Sequence, residues 1–149
     1  MRVLIAIASL IVLSNALDKE FKEKVMQRMQ EYGPKCFEEV HATDADLAEL
    51  MDHKIPPTSH EAKCMIFCLH KHFNMMTEDG SPNKEGTLEM LAPLKETDPD
   101  QYEKMVKVLE ICTASFEKDA DPCITSTNWA SCGIKEGKAL GMSEDLFDM

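Results

Sequence analysis

Six cysteines, Cys36, Cys64, Cys68, Cys112, Cys123 and Cys132, constrain this chain more than any other feature. The intervals between them hold 27, 3, 43, 10 and 8 residues. Close pairs set against one long gap mean that segments distant in sequence are tied together, so crosslinks as well as an apolar core hold the fold. Cys64 and Cys68 stand at i and i+4, which puts both sulfurs on one face of one helix. A bond between them would close a trivial loop in an element already rigid. Each gains more by reaching a different segment, riveting that helix to two others. Spacing alone does not choose among the possible pairings.

The start of the chain suggests where those cysteines are oxidised. Arg2 is followed by an apolar run from Val3 to Leu13, and Ser14-Asn15-Ala16 carries the small-x-small pattern that a signal peptidase cuts. A membrane span needs about 20 apolar residues; this run is shorter, and Asp18, Lys19 and Glu20 come directly after it. The expectation is a signal peptide over residues 1–16 and one secreted domain over 17–149, ending in an acidic tail from about residue 135. Secretion makes disulfides the default for the cysteines. The formal net charge of −11 argues against nucleic acid and acidic membrane surfaces, both of which need a basic face.

No segment alternates with the period of a strand, whereas helical signals recur. Phe21, Val25 and Met29 form a stripe on a first helix that Gly33-Pro34 should stop. A short second helix from about Thr43 to Asp52 carries Leu47, Leu50 and Met51 on its apolar side. Thr58 and Glu61 have capping-box spacing ahead of a third helix reaching Phe73. The stretch Glu78 to Asn83 reads as a loop, and Lys84 to Leu94 as a weaker helix frayed by Pro93. Asp98-Pro99 and Asp121-Pro122 each open a helix with an N-cap acid and a first-turn proline, Gln101 completing a box with Asp98. The first of these should run to about Glu117. In the second, Gly133, Gly137 and Gly141 should loosen the end. The expected fold is all-α, with about six helices.

Cys64, Cys68, His70 and His72 are close enough in sequence to suggest zinc. His70 falls off the cysteine face of the helix, and an oxidising compartment consumes the thiolates, so no metal and no cofactor is expected.

With three residues between Cys64 and Cys68 and eight between Cys123 and Cys132 on an all-helical secreted chain, the sequence resembles the insect odorant-binding proteins of the pheromone/general odorant-binding family. All six cysteines match, and the resemblance covers essentially the whole mature chain. The interval from Cys68 to Cys112 is long for that pattern and suggests an extended loop near Glu78 to Glu85. The resemblance implies bridges Cys36–Cys68, Cys64–Cys123 and Cys112–Cys132 and helices packed around an apolar cavity. It implies a carrier that binds odorants or pheromones and delivers them to a membrane chemoreceptor. A carrier of lipophilic molecules in saliva, haemolymph or reproductive fluid would use the same pocket. A monomer or weak homodimer is expected.

The residues offer softer, independent support for a carrier. Heavy crosslinking suits an interior left partly empty, because a void costs packing energy. Methionines fall throughout the helical body (Met26, Met29, Met51, Met65, Met75, Met76, Met90 and Met105), and their flexible side chains adapt to guests of varied shape. The expected pocket wall takes Val25 and Met29 from the first helix and Leu50 from the second. Phe67 and Phe73 come from the third helix and Met76 from just beyond its end, Leu88 and Leu91 from the fourth. Met105, Val106, Leu109 and Phe116 come from the fifth, Trp129 from the sixth and Phe147 from the tail. Thr113, Ser115, Thr127, Trp129 and Tyr102 are candidates to orient a guest's polar head. His53, His60, His70 and His72, with a tail lid of Leu146 and Phe147 flanked by Asp145 and Asp148, suggest acid-driven release.

An enzyme is not expected. A secreted phospholipase would need an aspartate after the helical histidine and a glycine-rich calcium loop; Cys68-Leu69-His70-Lys71-His72 has neither. No Gly-x-Ser-x-Gly elbow and no His-Glu-x-x-His motif occurs.

Overall fold

The computed structural model describes residues 2–142, with side chains from Lys19 onward. The expected tail residues Asp145, Leu146, Phe147 and Asp148 lie outside the described residues. Helices are α1 (Arg2–Glu39), α2 (Asp44–Met51), α3 (His60–His72), α4 (Lys84–Leu91), α5 (Leu94–Thr97), α6 (Pro99–Ala114) and α7 (Pro122–Ala139). Among the described residues there is no strand, only an isolated bridge between Met76 and Pro82. The all-α expectation holds, with one helix more than the sequence suggested. None of the described helices is long and apolar enough to cross a membrane.

Helix α1 does not stop at Gly33-Pro34 but continues through Pro34 to Glu39. An interior proline costs about 3 kcal/mol through its missing N–H and ring clash. Contacts on both sides of it offset that cost. Tyr32 stacks on His72 with ring centroids 4.4 Å apart, and Cys36, wholly buried, is bonded to Cys68. The outer face of α1 carries i,i+4 ion pairs, Lys24 with Glu20 and Lys35 with Glu31.

Helix α2 starts with a full capping box between Thr43 and Asp46. Its expected apolar side is not buried. Leu47 is 39% and Met51 69% exposed, and Leu50 is half-buried, while Asp46 is the residue turned inward. Two turns of helix packed mainly against α3 cannot cover a broad stripe.

Ser59, not Thr58, caps α3, accepting the Ala62 N–H at 3.0 Å. Thr58 is engaged elsewhere, giving both its N–H and its hydroxyl to the Glu49 carboxylate. These hydrogen bonds, the hydroxyl first, then Lys54, hold Glu49 down at about 2. They tie the end of α2 to the start of α3.

Pro93 divides the fourth expected helix rather than fraying it. Helix α4 ends at Leu91, and a separate turn, α5, begins after Pro93 and buries Leu94 completely. Helix α6 ends at Ala114, short of Glu117, where the Ser115 hydroxyl donates back to the Ile111 carbonyl at 3.0 Å. Its Asp98 accepts the Gln101 N–H at 3.1 Å, but the Asp98 N–H donates to the Leu94 carbonyl at 2.8 Å rather than to the Gln101 side chain, so only half the box forms.

Helix α7 passes through Gly133 and Gly137 without loosening. It ends in a Schellman turn. Gly141, at φ +68°, donates to the Lys138 carbonyl, and the Met142 N–H reaches the Gly137 carbonyl at 3.1 Å with its side chain buried. Packing against α3 and α6 outweighs the low helix propensity of those glycines.

The expected loop after α3 is tied down. Thr77 and Ser81 pair through their backbones, Lys118 holds Asp79 at 2.7 Å, and Gly80, at φ +79°, lies against Pro122. The Lys118 ammonium, with the Thr77 and Ser81 hydroxyls, keeps Asp79 far below the usual carboxylate range.

Candidate functional site

The disulfides are Cys36–Cys68, Cys64–Cys123 and Cys112–Cys132, closing separations of 32, 59 and 20 residues. Helix α3 is thereby bonded to α1 and α7, and α7 to α6, so one covalent frame encloses the interior. No cysteine is free. The groups that bring Cys36 and Cys68 near His72, or Cys64 and Cys123 near His60, consist of oxidised sulfurs with no thiolate to offer a metal.

The frame works because α7 is small and polar where the helices crowd it. Thr125, Ser126 and Thr127 are consecutive and all buried. Each finds a partner close by. Thr127 donates to the Cys123 carbonyl at 2.8 Å, Thr125 accepts the Asp119 N–H at 2.9 Å, and Ser126 pairs with His70 Nδ1 at 2.7 Å. Asp121 caps the helix by accepting the Cys123 N–H at 2.8 Å and meets His60 Nε2 at 2.7 Å. Burial raises the Asp121 carboxyl, but these contacts outweigh it and the net shift is downward.

Apolar residues gather in two clusters within this frame. One joins Met76, Leu109, Cys112 and Trp129, with Phe67, Leu88 and Phe116 packed against them. The other joins Phe21, Leu91 and Leu94, with Val25, Tyr102 and Met105 around it. Nine of the expected pocket residues therefore fall into one cluster or the other. Phe73 is buried beneath the Arg28 guanidinium, 5.5 Å from its ring centre. Met29, Leu50 and Val106 are half-buried outside both clusters, and Phe147 lies beyond the described residues.

Phe21, Met65, Phe73, Met76, Leu109 and Trp129 are buried, though each keeps a little surface. The largest wholly buried side chains are Leu94, Thr125, Thr127, Cys36, Cys68 and Ser126, only one of them a large aliphatic. Val25, Met29, Phe67, Leu88, Met105, Val106 and Phe116 all retain accessible surface. A cleft of about 150 Å³ opens between the end of α6 and the first half of α7, with Phe116, Trp129 and the Cys112–Cys132 bridge in its wall. A second, open groove of about 530 Å³ runs along α4 over Leu88 and Ala92.

The polar candidates separate on hydrogen bonding. Thr127 and Ser115 spend their hydroxyls on their own helices. Tyr102 packs at the second cluster. Trp129 Nε1 and Thr113 Oγ1 are buried with no partner among the described residues. The histidines do not form one group. His70 lies edge-on to Trp129, 5.5 Å between ring centres, His72 stacks on Tyr32, His60 meets Asp121, and His53 is exposed beyond α2. Sequence reasoning could place Trp129 on a helix but had no signal for its unpaired nitrogen, which depends on what α3 and α6 bring to it.

Comparison with known proteins adds an independent line. Residues 18–136 match the model of the PBP/GOBP family. The chain is 31% identical over 112 residues to general odorant-binding protein 19d of Drosophila melanogaster, covering 75% of this chain and 73% of that protein. It is 27% identical over 139 residues to general odorant-binding protein 28a of the same species, covering 93% and 96%. Its fold matches the solved odorant-binding protein dmelOBP28a from Drosophila melanogaster with a TM-score of 0.69 at 24% identity, over 81% of this chain and 98% of that one.

Proposed function

This chain belongs to the PBP/GOBP family, and from that premise we propose that it is a secreted carrier of small hydrophobic molecules, which it shelters without altering. Residues 1–16 act as the leader that exports it, and the guest is handed to a membrane chemoreceptor. The relatives' names point to odorants as the class of guest.

One observation carries the reading. Inside a covalently closed frame, Val25, Met29, Phe67, Leu88, Met105, Val106 and Phe116 remain partly accessible beside a buried core that includes Phe73, Leu109 and Trp129. Such an interior gains by admitting apolar guests. A molecule burying ten methylene groups gains about 8 kcal/mol before the cost of association, so affinities of about micromolar are expected. The wall residues expected to meet it are those of the two clusters, with Met29 and Val106 beside them.

The test is titration of the oxidised protein, lacking residues 1–16, with the probe N-phenyl-1-naphthylamine. The expected result is saturable fluorescence at micromolar concentrations, displaced by volatile alcohols, aldehydes or fatty acids. A linear, undisplaceable signal overturns the reading.

A further inference from the structure

Three bridges of one chemical kind stand in three different surroundings. Cys36 and Cys68 are 0% and 2% exposed; His72 is near their sulfurs, but the Glu39 carboxylate lies 3.7 Å from Cys68 Sγ, where it would repel a thiolate. Cys112 is buried and Cys132 half-buried, and no histidine or carboxylate gathers about that pair of sulfurs among the described residues. Cys64–Cys123 differs from both. Cys64 is half-buried, and His60, one turn earlier on α3, sets its ring nitrogens 3.7 and 3.8 Å from Cys64 Sγ, one of them within 4.8 Å of both sulfurs.

We infer that Cys64–Cys123 is an exchangeable bridge, a modification site at which a small thiol forms a mixed disulfide with Cys64, while the other two bridges are structural. The inference stands apart from the carrier reading. The cluster lies at the molecular surface, where the His60 and Asp121 side chains are 59% and 31% exposed.

The chemistry balances with the thiol as the only reductant. A thiolate is the nucleophile. Its sulfur bonds to Cys64 Sγ as the bond between Cys64 and Cys123 breaks, and the electron pair leaves on Cys123. A second thiolate attacks the sulfur that the first one brought. The two thiols depart joined as a disulfide, the pair leaves on Cys64, and the bridge is reduced.

The surroundings favour both departures. Exchange is faster when the leaving thiol is the stronger acid, and a thiolate is stabilised beside an imidazolium or at a helix N-terminus. Cys123 stands in the first turn of α7, and a protonated His60 would hold its charge close to either sulfur. Because the two ring nitrogens are nearly equidistant from Cys64 Sγ, that help is charge rather than an aimed N–H. Asp121 Oδ2, 2.7 Å from His60 Nε2, holds the ring in place.

The secreted protein, with all three bridges formed, would be treated with 2-mercaptoethanol, a neutral thiol that the net charge of −11 does not repel. Quenching with N-ethylmaleimide and mapping by mass spectrometry should find Cys64 in a mixed disulfide and Cys123 alkylated before any other cysteine reacts. Histidine changes charge between pH 5 and 8. The rate of opening at Cys64–Cys123, divided by that at Cys112–Cys132, should therefore fall about fivefold from pH 6 to pH 8. The ratio cancels reagent ionisation and global unfolding. In His60→Gln the fall should vanish. His60 is exposed, so the variant should fold, and the order and pH profile of the unaltered protein stand without it. Earlier opening of another bridge overturns the inference. So does a ratio that ignores pH, a fall that survives His60→Gln, or a Cys64–Cys123 bridge that opens only when the whole protein unfolds.

Discussion

Burial between α3 and α7 pushes His70 from its ordinary 6.5 down to about 4. The ring keeps some accessible surface, yet enough protein surrounds it to disfavour the imidazolium. Because the folded value lies below the unfolded one, the neutral ring's contribution is complete above pH 6.5 and is lost progressively as pH falls toward 4. By pH 5 that loss amounts to about 2 kcal/mol, or about 4–8 °C in melting temperature. Calorimetry at pH 7.5 and pH 5 should show the drop, and His70→Gln should flatten most of it. Equal pH slopes in both proteins would remove His70 from the account. Sequence could bring four histidines near the second and third helices, but not their separate fates. His70 and His72 differ by two positions on α3, so one turns to Ser126 and Trp129 and the other to Tyr32.

Helices show where local rules suffice. The Thr43, Asp98 and Asp121 caps act as their residue types dictate, because capping depends on neighbours only a few positions away. Pro34 and Gly133 defeat those rules because their cost is local and its compensation is not: Cys36 is anchored to α3, and α7 lies between α3 and α6. The glycines make this testable. Gly133 sits in a helix interior, and an added Cβ would meet nothing within 4 Å. Gly133→Ala should therefore raise stability by about 1 kcal/mol in a denaturant titration. Gly86 also lies in a helix, but its Cβ would fall 2.1 Å from the Asn74 carbonyl oxygen. Gly86→Ala should lower stability by about 3 kcal/mol. Opposite signs at two helical glycines would show that the turn at Asn74, not propensity, requires the second.

At the scale of the whole molecule, the all-α class was legible because apolar periodicity and cap residues recur along the chain, whereas the pairing of the cysteines came from the resemblance to a known family and not from their spacing. The division of the interior into two clusters was not, since apolar periodicity marks an inward face without saying what it meets. The frame's energetic role can be measured. The bridge between α6 and α7 closes the shortest separation, 20 residues. Replacing Cys112 and Cys132 together by serine should cost about 3 kcal/mol in thermal or urea unfolding. It should also weaken uptake of the apolar probe, because Cys112 and Cys132 stand in the cleft wall. Unchanged uptake with lowered stability would place the guest elsewhere in the interior.

Cys64 and Cys68 share a helix one turn apart, yet their proper partners stand on different helices. An exchange of those partners would create a scrambled isomer with α1 and α7 both displaced along α3. The two forms differ by a single swap of sulfurs, so air oxidation alone is a poor guide to the native one. Production in a reducing cytosol and then uncontrolled refolding should yield a mixture, whereas a redox buffer that lets bonds reshuffle should drain the wrong isomer into the right one.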